Sequence, residues 1–191
     1  MKTVSVSIKG TTPLMLCRFP ESLEVNSSTR AVHFDKGTPR EQADKACYRD
    51  KDGRFYFPGT AIARMLREAG ANHKLRGSRR SAKHVIPGAI LVKEDCILIR
   101  NGDGESLSND FEVDSRPVVI PATKGRIMAH RPRWDCWSAK FEIRINEQLL
   151  PVDFINKLMT EASQQIGIGA FRPEKGGPFG TFLISEWKEF S

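Results

Sequence analysis

The chain has 191 residues, a formal net charge of +7 and a sequence pI near 9.4, a balance that favours a polyanionic partner or an anionic surface. Its hydrophobic content of 39% supplies a core at a mean hydropathy of -0.40, and the length suits one domain or one domain with large insertions. Cys17, Cys47, Cys96 and Cys136 form no C-x-x-C pair, and there is no signal peptide, long apolar run or lipidation motif; we therefore expect a cytoplasmic protein with reduced thiols, no membrane segment, no metal and no cofactor.

Residues 1–9 alternate, with Val4, Val6 and Ile8 on one face and Ser5 and Ser7 on the other, the pattern of a half-buried strand. Residues 19–45 are irregular, with a short helix expected at 39–46. A segment this long without periodicity is functional or disordered in a compact domain. His33 and Asp35 lie in it as a candidate catalytic pair without a visible third group. Residues 48–57 read as a hairpin, with Asp52-Gly53 as the turn and Phe55-Tyr56-Phe57 as a strand. Pro58-Gly59-Thr60 then starts a helix with Thr60 as the expected N-cap. Ile62, Met65, Leu66 and Ala69 form its apolar stripe, Gly70 ends it, and Arg64 and Arg67 lie off the stripe.

The next segment, 72–84, is basic and free of acids: Lys74, Arg76, Arg79, Arg80 and Lys83, with His73 and His84. Such a Gly/Ser-containing loop can follow a phosphate backbone without reading sequence. Residues 85–92 and 96–100 read as strands of a hairpin around Lys93-Glu94-Asp95. An acidic surface excursion follows at 101–114, then a short strand at 116–121. Residues 123–140 form a second basic region with Lys124, Arg126, His130, Arg131, Arg133 and Lys140, interleaved with Trp134 and Trp137. Cations beside exposed aromatics suit single-stranded nucleic acid, because bases stack on the rings; tryptophans are as readily core residues.

Residues 141–145 alternate as a strand, and 150–165 carry the stripe of a helix with Pro151 in its first turn. A glycine-rich loop follows: Gly167, Gly169, Arg172, Lys175, Gly176, Gly177 and Gly180, before a last strand at 181–187. Its backbone N–H groups, with Arg172 and Lys175, are candidates for an anion-binding concavity. No Gly-Lys-Ser/Thr follows the glycines and a strand rather than a helix comes next, so the loop fits neither a P-loop nor a dinucleotide fingerprint.

Without the insertions, at about 19–47, 71–84 and 101–140, the order is β-α-β-β-α-β, an α+β ferredoxin-like (RRM-like) core. The open face of its sheet and the basic insertions are then the expected bed for a strand of RNA or DNA. The run Asp52-Gly53-Arg54-Phe55-Tyr56-Phe57-Pro58-Gly59-Thr60, with the helix ending in Leu66-Arg67, resembles a signature of the RAMP superfamily, the RRM-like subunits that form the backbone of CRISPR effector complexes. The glycine-rich loop before the last strand is similar to one the family carries. The resemblance implies a non-enzymatic protein holding single-stranded RNA such as a guide, with other CRISPR-complex subunits and lateral self-assembly, a homo-oligomer or filament, as partners. A solitary viral or mobile-element relative that mimics or blocks such a complex fits equally, and no catalytic residue carries over. Two other classes stay open: a metal-independent ribonuclease using His33, His73, His84 or His130, and a protein-only module whose basic patches meet an acidic partner.

Overall fold

The structure is a computed structural model and describes residues 1–18, 37–75, 77, 79–101, 104–105, 107, 110–119 and 124–190. His33, Asp35 and Arg76 lie outside the described residues, as does most of the insertion at 19–47.

Alternation in the first nine residues gives strand β1 (Lys2–Gly10), the centre of a four-stranded antiparallel sheet. Its neighbours are β8 (Ser138–Ile145) on one side and β9 (Phe182–Phe190) on the other; β4 (Ile90–Val92) flanks β8. The order β4-β8-β1-β9, all antiparallel, is the split β-α-β arrangement expected from the periodicity. Register puts Val4, Val6 and Ile8 on one face with Ala139, Phe141, Ile143, Ile184 and Trp187. Helices α2 (Gly59–Ala69) and α4 (Val152–Gln165) supply Ile62, Met65, Leu66, Ile155, Leu158 and Met159 to the same core. Each side chain of this size adds about 1.5–3 kcal/mol when fully buried.

Between these elements stand α1 (Pro39–Lys45), β2 (Leu14–Met15), β3 (Tyr56–Pro58), α3 (Ile86–Ala89), β5 (Cys96–Leu98), β6 (Glu112–Val119) and β7 (Arg126–Trp134). The α1 helix starts on a capping box, with the Thr38 side chain accepting from the Glu41 backbone and the Glu41 carboxylate accepting from the Thr38 N–H. Gly53, at φ 79°, makes the expected turn, but the Phe55-Tyr56-Phe57 strand pairs mainly across to β5 rather than back on residues 48–50.

Three other expectations change. Residues 85–92 are strand only from Ile90; α3, with Pro87 in its first turn, takes the preceding residues. β4 and β5 are not a hairpin: they enter different sheets, because residues 93–95 cross from the β8 edge to the start of α2. There the Glu94 carboxylate accepts from the Glu142 N–H, and the Asp95 carbonyl accepts from Gly59 N–H at 2.9 Å. Finally, the acidic excursion and second basic region are largely one long antiparallel hairpin, β6–β7, joined to β2 in a sheet of order β2-β7-β6. Among the described residues no helix is long and apolar enough to cross a membrane.

Candidate functional site

The two motifs singled out in the sequence meet across one cleft. On one wall is the start of α2. Pro58 is extended (φ -63°, ψ 138°) and caps the helix, which begins at Gly59; Thr60 is the second helical residue, not the N-cap. The reason is a close approach: a Cβ at Gly59 would overlap the Glu94 carbonyl oxygen, and the Gly59 N–H is already taken by Asp95. On the other wall α4 ends at Gln165 and the chain turns through Gly167 (φ 68°) and Gly169 (φ 79°). Ala170 N–H donates to the Met15 carbonyl at 2.8 Å and Ile168 N–H to that of Gly180 at 3.0 Å, fixing the loop against β2. The cleft encloses about 680 Å³, with Cys17, Tyr48, Thr60, Arg64, Arg67 and Arg172 among its lining residues.

Arg64 and Arg67 sit one turn apart on the side of α2 away from the core stripe, and the basic loop extends from that helix's C-terminal end. Ser81 Oγ donates to the Gly70 carbonyl at 2.7 Å, Ala82 N–H to that of His73 at 2.8 Å and Leu75 N–H to that of Arg80 at 3.1 Å, so the described part of the loop is a small hydrogen-bonded unit. It exposes Lys74, Arg79 and Arg80. Lys83 Nζ is 2.8 Å from Glu68 Oε2, and Arg67 Nη2 is 2.9 Å from Glu68 Oε1. The Lys83 bond first, then that of Arg67, holds the Glu68 carboxyl down at about 2. His73 Nε2 is 2.8 Å from Glu161 Oε2, and its ring meets Phe154 edge-on.

The glycine-rich loop is not an anion cradle at most of the expected positions. The N–H groups of Gly167, Gly176 and Gly177 donate to the carbonyls of Ala162, Pro173 and Arg172. Arg172 and Lys175 both reach Glu174, with Arg172 Nε–Oε2 at 2.9 Å and Lys175 Nζ–Oε1 at 3.1 Å. Burial pushes the Glu174 carboxyl up, but those two bonds more than offset it and leave it below the usual range. Arg172 also donates to the Gly169 carbonyl at 2.9 Å. The glycines serve close packing instead: a Cβ at Gly169 would overlap Met15, one at Gly177 would overlap Phe171, and one at Gly180 would overlap Ile168.

The second basic set lies along β7. Arg126 is exposed beside Val119, and Arg131 stands opposite Asp114 in register. Arg133 Nε is 2.6 Å from Asp135 Oδ1. The structure corrects the stacking role expected of the tryptophans. Trp134 is 5% exposed, donates from Nε1 to the Asp110 carbonyl at 3.0 Å and packs on Phe55 with centroids 5.0 Å apart. Trp137 is 2% exposed and donates to the Thr12 carbonyl at 2.8 Å, in space that only glycine at position 10 leaves open. Each indole therefore has its ring in the core and its N–H satisfied, with no face for a base.

The open face of the main sheet also differs from expectation. Its two central strands present Thr3, Ser7 and Lys9, and Ser138, Lys140, Glu142 and Arg144, and the only exposed ring on that face among the described residues is Phe190, on edge strand β9 beside Lys188. The cleft, with Arg64, Arg67 and Arg172, lies on the helical side instead. Sequence reasoning missed Tyr48 and Cys17 as cleft residues and gave Arg64 and Arg67 no role; their i, i+3 spacing opposite the apolar stripe was the available signal. Among the described residues no cluster of His, Cys, Asp or Glu is arranged to hold a metal.

No protein-family model matches the sequence, and no curated protein matches it. Solved structures do match in fold. A chain in the cryo-EM structure of the type III-B Cmr-beta complex bound to cognate target RNA superposes with a TM-score of 0.57 at 14% identity, over 98% of this chain. This chain spans 60% of that one's length. Cmr6 from Pyrococcus furiosus gives 0.49 at 11% identity, covering 95% of this chain and 97% of Cmr6. A chain of a type IV-B CRISPR complex gives 0.49 at 12% identity, covering 96% and 90%. The RRM-like α+β fold expected from the sequence is thus shared with the chain in the Cmr-beta structure.

Proposed function

We propose that the protein is a non-enzymatic, RAMP-like subunit or solitary relative that holds single-stranded RNA along the helical side of its core. The observation that carries this reading is the convergence of the Pro58-Gly59-Thr60 helix start and the glycine loop on one cleft edged by Arg64, Arg67 and Arg172. From that cleft the positive surface continues along α2 to Lys74, Arg79 and Arg80. Phosphate contacts of this kind bind without sequence preference and weaken steeply with salt. Arg126 and Arg131 on the hairpin extend the contact, and lateral assembly of copies along the strand, or docking with other CRISPR subunits, follows from the same reading. The fold shared with the Cmr-beta chain supports it.

What co-purifies tests this directly. The protein prepared at low salt should carry nucleic acid that ribonuclease degrades. Recovery of DNA alone, or of an acidic protein in its place, contradicts the RNA assignment.

The contact between His73 and Glu161 favours a second reading, a histidine-centred ribonuclease in which the carboxylate orients the ring. Cleavage of labelled RNA by the wild type and not by His73→Ala would replace the binding reading.

A further inference from the structure

We infer that the nucleobase-stacking residue of this protein is Phe171, in the glycine-rich loop; this rests on the RNA-binding reading above. Phe171 is 36% exposed and flanked by cleft residues, whereas Trp134 and Trp137 are buried and the exposed Phe190 lies away from the cleft on the open face of the main sheet. Its backbone is left-handed at φ 51°, a conformation that a residue with a bulky side chain rarely adopts. Strained positions of this kind persist only where their surroundings over-determine them, and they cluster at ligand clamps. The surroundings here are explicit. Phe179 N–H donates to the Phe171 carbonyl at 3.3 Å. The Phe171 and Phe179 rings lie 6.1 Å apart and tilted by 40°. A Cβ at Gly177 would overlap the Phe171 carbonyl and ring.

A cation stands beside the aromatic pair. Arg116, from β6, places Cζ 4.7 Å from the Phe179 centroid and 5.9 Å from that of Phe171. It is fixed there by Asp114, which accepts from Nε at 2.6 Å and from Nη2 at 3.0 Å. Asp114 is itself buried. Arg172 and Ala170, on either side of Phe171, line the cleft. The ring therefore stands at the lip of the proposed RNA path with a guanidinium at its side. A base laid on Phe171 gains a π face, and its phosphate lies within the field of Arg116 and Lys175. Such stacking is tolerant of base identity, which suits a protein that holds RNA of any sequence.

The test uses the full chain, an unstructured single-stranded RNA carrying 2-aminopurine, and two variants. Phe171→Gly removes the ring but relieves the left-handed strain, which offsets part of the lost packing, so it should melt within a few degrees of the wild type. It should bind about 5- to 150-fold more weakly and lose the fluorescence quenching that stacking gives the wild type. Phe171→Trp should bind at least as well as the wild type. If the wild type binds with steep salt dependence and Phe171→Gly binds equally well with equal quenching, the stacking assignment is overturned and the phosphate-binding reading stands. If the wild type does not bind RNA at low salt, both fall.

Discussion

Lys83 Nζ lies 2.8 Å from Glu68 Oε2, so the basic loop is fastened to α2 by one of the cations it was expected to offer to phosphate. Glu68 sits at about 2 against an ordinary 4.5, which has a definite consequence for stability. A depressed carboxylate stabilises the fold above its unfolded pKa, and that contribution disappears as pH falls from 4.5 through about 2. The pair is partly solvated, so Glu68→Gln should cost less than about 1 kcal/mol at neutral pH. Thermal melts between neutral pH and pH 2 should show wild type and variant converging as acid is added. In RNA binding the same variant should gain affinity, because Lys83 and Arg67 are released.

The buried tryptophans make a prediction opposite in kind. Trp137→Ala removes a ring packed against Phe57 and Phe182 and leaves the Thr12 carbonyl without its donor. Denaturant unfolding should register a loss of about 3–5 kcal/mol. In a Trp187→Phe background, emission from Trp134 and Trp137 should resist acrylamide and change little when RNA is added.

Two glycines of the same loop should respond differently. Gly176 and Gly180 both have positive φ, at 73° and 72°. A Cβ at Gly176 meets nothing, so Gly176→Asn should cost under about 1 kcal/mol. At Gly180 it overlaps the Ile168 carbonyl, so Gly180→Ala should cost upwards of about 2 kcal/mol, read as a fall in the denaturation midpoint.

The cysteines give a chemical readout of the cleft. Burial, and then Asp44, pushes the Cys47 thiol up to about 12, so it should stay unreactive in the native state. Cys17 and Cys96 are exposed, and Cys17 lines the cleft. Bound RNA should slow alkylation of Cys17, as followed by mass spectrometry.

The core was legible because its residues obey one period at a time. Val4, Val6 and Ile8 alternate, Ile62, Met65, Leu66 and Ala69 recur at helical spacing, and the sheet order follows from joining such segments. The β6–β7 hairpin was legible only as the short strand at 116–121, because its apolar residues come in adjacent pairs, Val118-Val119 and Ile127-Met128, that fall on both faces. Arg131 and Arg133 alternate with His130 and Pro132, so period two carries no hydrophobic signal and the charge reads as loop. The glycine loop was visible as a motif, but its purpose was not. Glycines that cradle an anion and glycines that admit a neighbouring carbonyl have the same composition, and only the positions of Met15, Ile168 and Phe171 separate them. The tryptophans were misplaced for a related reason: their burial depends on Gly10, Phe55 and Phe182, which are remote in sequence.

The central claim is that RNA lies on the strip formed by α2 and the basic loop. The most direct measurement is the affinity of a short single-stranded RNA across a salt series, for the wild type and for Arg64→Glu combined with Arg79→Glu. The account predicts wild-type affinity that falls linearly in log–log form with salt. The reversed variant should melt within a few degrees of the wild type, bind far more weakly and give a shallower salt slope. Binding of the folded variant with wild-type affinity and slope would contradict the account.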